Sequence, residues 1–162
     1  MTSKKVDSVQ ASVAELGLRS GSVIGKFRGD ISYPHGGDYE ASYLRGGCNP
    51  ESDADFMYVH SDQEAPDDTG NTYNSTVMFH FKKPLSIARY DFSDEKVREH
   101  TTIIVDSQFG RRWQPKSGAL LVTSIGLDSY KGRFNIYKEE REEGFAVTDG
   151  EFEFNFADEG DI

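Results

Sequence analysis

The chain has 162 residues and a formal net charge of −10, from 28 acidic against 18 basic side chains. That length suffices for one domain with its own core, and so acidic a balance argues against binding to nucleic-acid backbone. A single cysteine, Cys48, excludes an intramolecular disulfide, and no apolar run approaches the length of a membrane span. The N-terminus lacks the apolar stretch of a signal peptide, so a full-length chain is expected in the cytoplasm, and a secreted one only after loss of such a peptide.

In chain order, residues 1–20 are the one good helix candidate, with Val6, Val9, Val13 and Leu16 at helical spacing, Ser3 to cap the start and Gly17 the end. This helix is expected to pack on one end of a β-structure. Ser22 to Tyr33 then alternates: Val23, Phe27, Ile31 and Tyr33 share one side, together with Gly25 and Gly29, and Lys26, Arg28, Asp30 and Ser32 the other. Glycines on the apolar side predict a strongly bent strand, or one over which a bulky neighbour sits. Tyr39, Ala41 and Tyr43 mark a second strand, which Gly46-Gly-Cys-Asn-Pro50 is expected to break, and Phe56 to His60 a short third.

Residues 61–74 read as a polar loop, long enough to be functional or disordered. Val77, Phe79 and Phe81 alternate on a clear strand. A parity change between Leu85/Ile87 and Ala88/Tyr90/Phe92 predicts a bulge, and Ser93 to His100 a helical turn. Strands follow at Thr101–Phe109, Ala119–Leu127 and Tyr130–Lys138. Ala119 to Ile125 is apolar on both parities, the pattern of a central strand covered on both faces. Gly-x-Phe recurs at Gly25, Gly132 and Gly150, which curved strands explain without duplication.

The last segment is the most explicit. Asp149-Gly150 is a strong signal for a two-residue hairpin turn, which would pair Val147 with Phe152 and Phe145 with Phe154, and bring Phe156 onto the same apolar face. Residues 157–162 read as a flexible acidic tail. Nine or ten short strands imply a single all-β domain, mainly antiparallel, as a sandwich or a barrel.

Chemistry is harder to find. Arg111, Arg112 and Trp113 are expected at a loop tip, where an aromatic plane beside guanidinium groups could hold a ligand or anchor an interface. The competing expectation is that Trp113 folds down onto the barrel end. Glu51-Ser-Asp-Ala-Asp55 and Ala65-Pro-Asp-Asp-Thr-Gly-Asn71 supply loop oxygens but lack the spacing of a calcium loop. Cys48 and His35, the obvious nucleophile and base, are separated by a strand that would hold them over ~20 Å apart. No zinc spacing, nucleophile elbow, phosphate loop or dinucleotide fingerprint occurs, and no cofactor is implied.

The charge is also uneven: residues 38–76 and 138–162 each carry −8, while 77–137 carry +4. Three functions remain open: a non-catalytic binding module using loops at one end of the β-domain for a small ligand or a protein, an acidic interaction or inhibitor protein facing a basic partner, and a barrel or enzyme with an internal cavity. An oligomer also remains open.

Overall fold

In the computed structural model, residues 16–28, 37–52, 54–66, 70–107 and 111–157 are described. They form one antiparallel sheet and one short helix. The strands are β1 (Leu16–Arg28), β2 (Asp38–Glu40), β3 (Tyr43–Cys48), β4 (Met57–Pro66), β5 (Thr72–Phe81), β6 (Arg89–Asp91), β7 (Thr101–Ser107), β8 (Arg111–Trp113), β9 (Ser117–Ile125), β10 (Ser129–Tyr137) and β11 (Ala146–Ala157). Helix α1 (Glu95–His100) lies between β6 and β7. The order across the sheet is β6-β9-β10-β11-β1-β3-β4-β5-β7-β8, with β2 pairing β1 beside this path. The all-β class expected from the alternation is the one observed.

The sheet curls on itself into a half-barrel, which the core shows directly. Phe79 of β5 lies 5.6 Å from the ring of Phe134 on β10, and 5.6 and 5.3 Å from those of Phe152 and Phe154 on β11. Strands far apart in the sheet order therefore meet face to face, with phenylalanine rings filling the space between. Alternation is clean along β7, where Thr101, Ile103, Val105 and Ser107 are buried and the residues between them are not.

The two margins of the sheet are tied together by the chain itself. β8 forms one margin, yet only Gln114–Lys116 separates it from β9, next to the other margin; the four steps from Trp113 to Ser117 reach at most about 14 Å. The segment holding α1 makes a second crossing, from β6 on one margin to β7 beside the other. A seam results, bridged at two places and unpaired between β6 and β8 in the sheet order.

Several sequence expectations need correction. Asp149-Gly150 is no hairpin turn: β11 runs unbroken from Ala146 to Ala157, between β10 and β1. Asp149 takes the left-handed conformation, φ 51°, as the extra residue of a β-bulge, and its N–H donates to Asn135 Oδ1 at 2.9 Å. Both ladders shift register there, between Ile24 and Lys26 on β1 and between Phe134 and Ile136 on β10. The facial assignment survives for another reason, since the extra residue restores the parity that a continuous strand would break. Val147, Phe152, Phe154 and Phe156 are all buried, while Phe145 is half-buried just before the strand.

The residues expected to end the N-terminal helix, 16–20, are strand, and the remainder of that helix lies outside the described residues, as do Asp158 to Ile162 of the tail. The expected break at Gly46 to Pro50 comes late in that segment: Gly46 to Cys48 continue β3, and the strand ends before Asn49 and Pro50. Much of the expected 61–74 loop is the β4–β5 hairpin, whose polar side chains bond across it: Ser61 Oγ donates to Val77 O at 2.6 Å, and Thr76 Oγ1 to Asp62 Oδ1 at 2.6 Å. β9 is not covered on both faces, because Leu121 is 38 % exposed and Thr123 and Ser124 face solvent. Only the short β6 lies beyond it.

Candidate functional site

Trp113 does not stand at a loop tip. It ends β8, opposite Val105, and is 6 % exposed, because the short margin strand turns its inward residue onto the core. Its neighbour Arg112 alternates to the solvent side, opposite Asp106 in the ladder. The side chain of Arg111 lies outside the described residues. Of the two expectations for Trp113, the one in which it folds down onto the core is observed, and the exposed loop tip is not.

What the fold adds is the surroundings. After Trp113 the chain crosses the seam as Gln114-Pro115-Lys116 and is fastened on arrival: Lys116 N–H donates to Tyr137 O at 2.9 Å, and Ser117 Oγ to Glu139 O at 2.8 Å. This brings the end of β10 against the end of β8, with α1 beside them. The result is a surface cleft of about 580 Å³ lined by Arg98, Arg112, Lys116 and Lys138, with Trp113 and Pro115 in its wall and Glu139 as its one carboxylate. The volume lies within the usual range for small-ligand sites.

Two of the cations are held in place by contacts other than carboxylates. Arg98 Nη1 donates to Phe92 O at 2.7 Å, and Lys138 Nζ lies 5.2 Å from the centre of the Phe145 ring. The ion pairs among the described residues are His80–Asp55, Lys131–Glu153 and Arg141–Glu143, so none of the four cleft cations belongs to one. Four cations and one carboxylate converge in the cleft of a chain of net charge −10, so the local field is opposite in sign to the whole. Such a cleft suits carboxylate or phosphate oxygens, and arginine offers a planar fork to either.

Sequence reasoning missed Arg98, Lys116 and Lys138. The signal available was the +4 of residues 77–137, but it could not show which of those charges meet.

A second groove, of about 690 Å³, lies over β2, β1, β11 and β10. It is lined by Asp38 and Glu40 from one acidic block and by Asp149 and Glu151 from the other, with Lys26 and Arg133 among them. Among the described residues no group of three or more histidine, cysteine or acidic side chains is arranged to hold a metal. Asp55 instead bonds His80 Nε2 at 2.9 Å, and Ser52 Oγ accepts from the N–H of Asp55 at 2.9 Å, so that acidic loop is organised by its own side chains.

Cys48 is buried, and His35 lies outside the described residues. Burial pushes the Cys48 thiol up to about 12; a hydrogen bond from Tyr130 works against the rise and the Asp128 carboxylate adds to it. Cys48 is therefore a protonated core thiol rather than a nucleophile.

No helix among the described residues is long and apolar enough to cross a membrane. Comparison of the chain with protein-family models, curated proteins and solved structures gives no match.

Proposed function

We propose that the protein is a non-catalytic binding module whose ligand is an anion of small-molecule size, or an anionic segment of a protein, held in the seam cleft. One observation carries the reading: Arg98, Arg112, Lys116 and Lys138 line one cleft and none is in an ion pair among the described residues, although the chain is strongly acidic. The expected role of the Arg111–Trp113 segment is kept in part. Arg112 would meet the ligand, while Trp113 would stiffen the wall from within the core.

The test uses inorganic phosphate and citrate as probes, followed by amide and Trp113 indole chemical shifts. Shifts should cluster at Arg98, Arg112 to Lys116 and Lys138. They should weaken as salt rises and disappear in an Arg112→Glu, Lys116→Glu double variant that melts normally. Absent shifts, or shifts centred on Lys26 and Arg133 instead, would overturn the reading.

A second reading has its own support. The two acidic blocks, remote in sequence, supply four carboxylates to the groove over β1, near the middle of the sheet order and far from the seam. That surface would face a basic partner, and an oligolysine peptide should then bind at low salt and be lost from an Asp38→Asn, Glu40→Gln variant. Lys26 and Arg133 within the same groove dilute its field, which ranks it second. The internal-cavity reading loses its motive where phenyl rings fill the interior.

A further inference from the structure

On the other flank of α1 is a second cleft, of about 240 Å³, and its walls differ in kind. Pro84, Leu85, Tyr90 and Val97 make it almost wholly apolar, while Lys83, Lys96 and His100 stand around it. No ion pair among the described residues holds any of these three. The segment forming one wall is fixed by Tyr90, whose hydroxyl accepts from the Ser86 N–H at 2.9 Å, and it leaves Ile87 65 % exposed.

This inference rests on the reading of the seam cleft as an anion site: we infer that the two clefts flanking α1 take one ligand, an extended acidic segment of a partner protein. One large apolar side chain of that segment sits between Leu85 and Val97, and its carboxylates meet cations on both sides of the helix.

Size and spacing carry the argument. The apolar cleft is smaller than a typical small-ligand site, so it fits a single side chain better than a whole ligand. A helix is about 10 Å across, and an extended chain advances ~3.3 Å per residue, so three or four residues reach from one cleft to the other. The cations are spread over both flanks, more widely than the head group of one amphiphile can cover. A single-stranded nucleic acid would also need exposed aromatic faces for its bases; here Trp113 is buried and the Tyr90 hydroxyl is engaged by Ser86.

The experiment is fluorescence anisotropy with two labelled peptides of equal length, one of glutamates only and one with a central phenylalanine. The phenylalanine peptide should bind roughly tenfold more tightly, the effect of burying one large apolar side chain in part. Leu85→Asp should erase that advantage, read as the ratio of the two affinities, while Lys116→Glu with Lys138→Glu should weaken both peptides. Should Leu85→Asp fail to fold, Lys83→Glu with Lys96→Glu, both at exposed positions, decides the matter: undiminished affinity for the phenylalanine peptide overturns the inference. Equal affinity of the two peptides overturns it too, and leaves the anion site standing if either peptide or citrate still shifts the seam residues. Decanoate binding in the apolar cleft with neither peptide bound would make the ligand a free amphiphile and end the inference. Loss of every probe would end both readings.

Discussion

At the scale of single residues, the interior depends on aromatic rings that touch across the curl of the sheet. Phe154 is fully buried and meets Phe79 at 5.3 Å, Phe152 at 5.0 Å and Phe156 at 6.4 Å, joining two sides of the half-barrel. Phe154→Ala should therefore cost about 3–5 kcal/mol, read by urea denaturation, since rings held by separate strands close only partly over the void. A neutral result would mean that the two sides do not pack there. Cys48 and Tyr130 give a second, pH-dependent expectation. Burial pushes Tyr130 up to about 12, with the neighbouring Cys48 adding to the rise, while Cys48 is itself raised from 9.0 to about 12. Both groups are essentially neutral, folded or unfolded, below about pH 8, so they leave stability unchanged there. Between about pH 8 and 12 the unfolded chain loses these protons first, and stability falls as pH rises. Urea midpoints at pH 8 and pH 10.5 should show the fall, and Tyr130→Phe should lessen it; equal slopes in wild type and variant would remove Tyr130 from the account.

At the scale of elements, the recurring Gly-x-Phe acquires a structural reason. Gly132 pairs with Phe152 and Gly150 with Phe134, so on adjacent strands each ring lies against the glycine opposite. A Cβ at Gly150 would come within 2.5 Å of the Phe134 ring, and one at Gly132 would strike both the Phe152 ring and the Leu121 carbonyl. Gly150→Ala should thus destabilise by about 1–3 kcal/mol through overpacking, and Phe134→Leu should recover part of that loss in a double-mutant cycle. At Asp149 the expectation is opposite. Its φ of 51° suits glycine, so Asp149→Gly should cost little and Asp149→Val should cost roughly 1–2 kcal/mol or more. These contrasts also explain what the sequence could and could not show. Strand parity was readable because a period of two is local, and so Val23, Phe79, Phe152, Phe154 and Phe156 fell on the correct face. The Asp-Gly pair was ambiguous because a hairpin turn and a bulge both ask for a left-handed residue. The choice between them is made by β1 and β10, which clamp β11 from both sides. Of the residues lining the seam cleft, the sequence singled out only Arg112 and Trp113, for Arg98 and Lys138 reach it through separate elements that meet at the seam.

At the scale of the whole molecule, the topology joins the first described strand to the last. β1 pairs β11 from Gly17↔Ala157 to Arg28↔Ala146, so the long central ladder forms only when residues more than a hundred positions apart in the sequence meet. Contacts of that separation delay the nucleus, and refolding should take milliseconds to seconds rather than microseconds. They also leave little that is stable alone, because β8 and β6 are three-residue strands supported only by the sheet behind them. The seam could still come undone before the rest, and Trp113 is placed to report it, being the sole tryptophan and lying on the margin strand β8. Its indole is buried against the same core that Phe79 and Phe154 fill, so opening the seam would expose it before the central ladders part. If the core is one cooperative unit, urea unfolding followed by Trp113 fluorescence and by far-ultraviolet circular dichroism should give one midpoint and one slope. An earlier fluorescence transition would show the β8 margin to be a separate, weaker unit, and the seam cleft would then form and dissolve in the folded protein. Phosphate or citrate bound at Arg98, Arg112, Lys116 and Lys138 should in that case move the fluorescence midpoint toward the circular dichroism midpoint, since a ligand stabilises whichever unit forms its site.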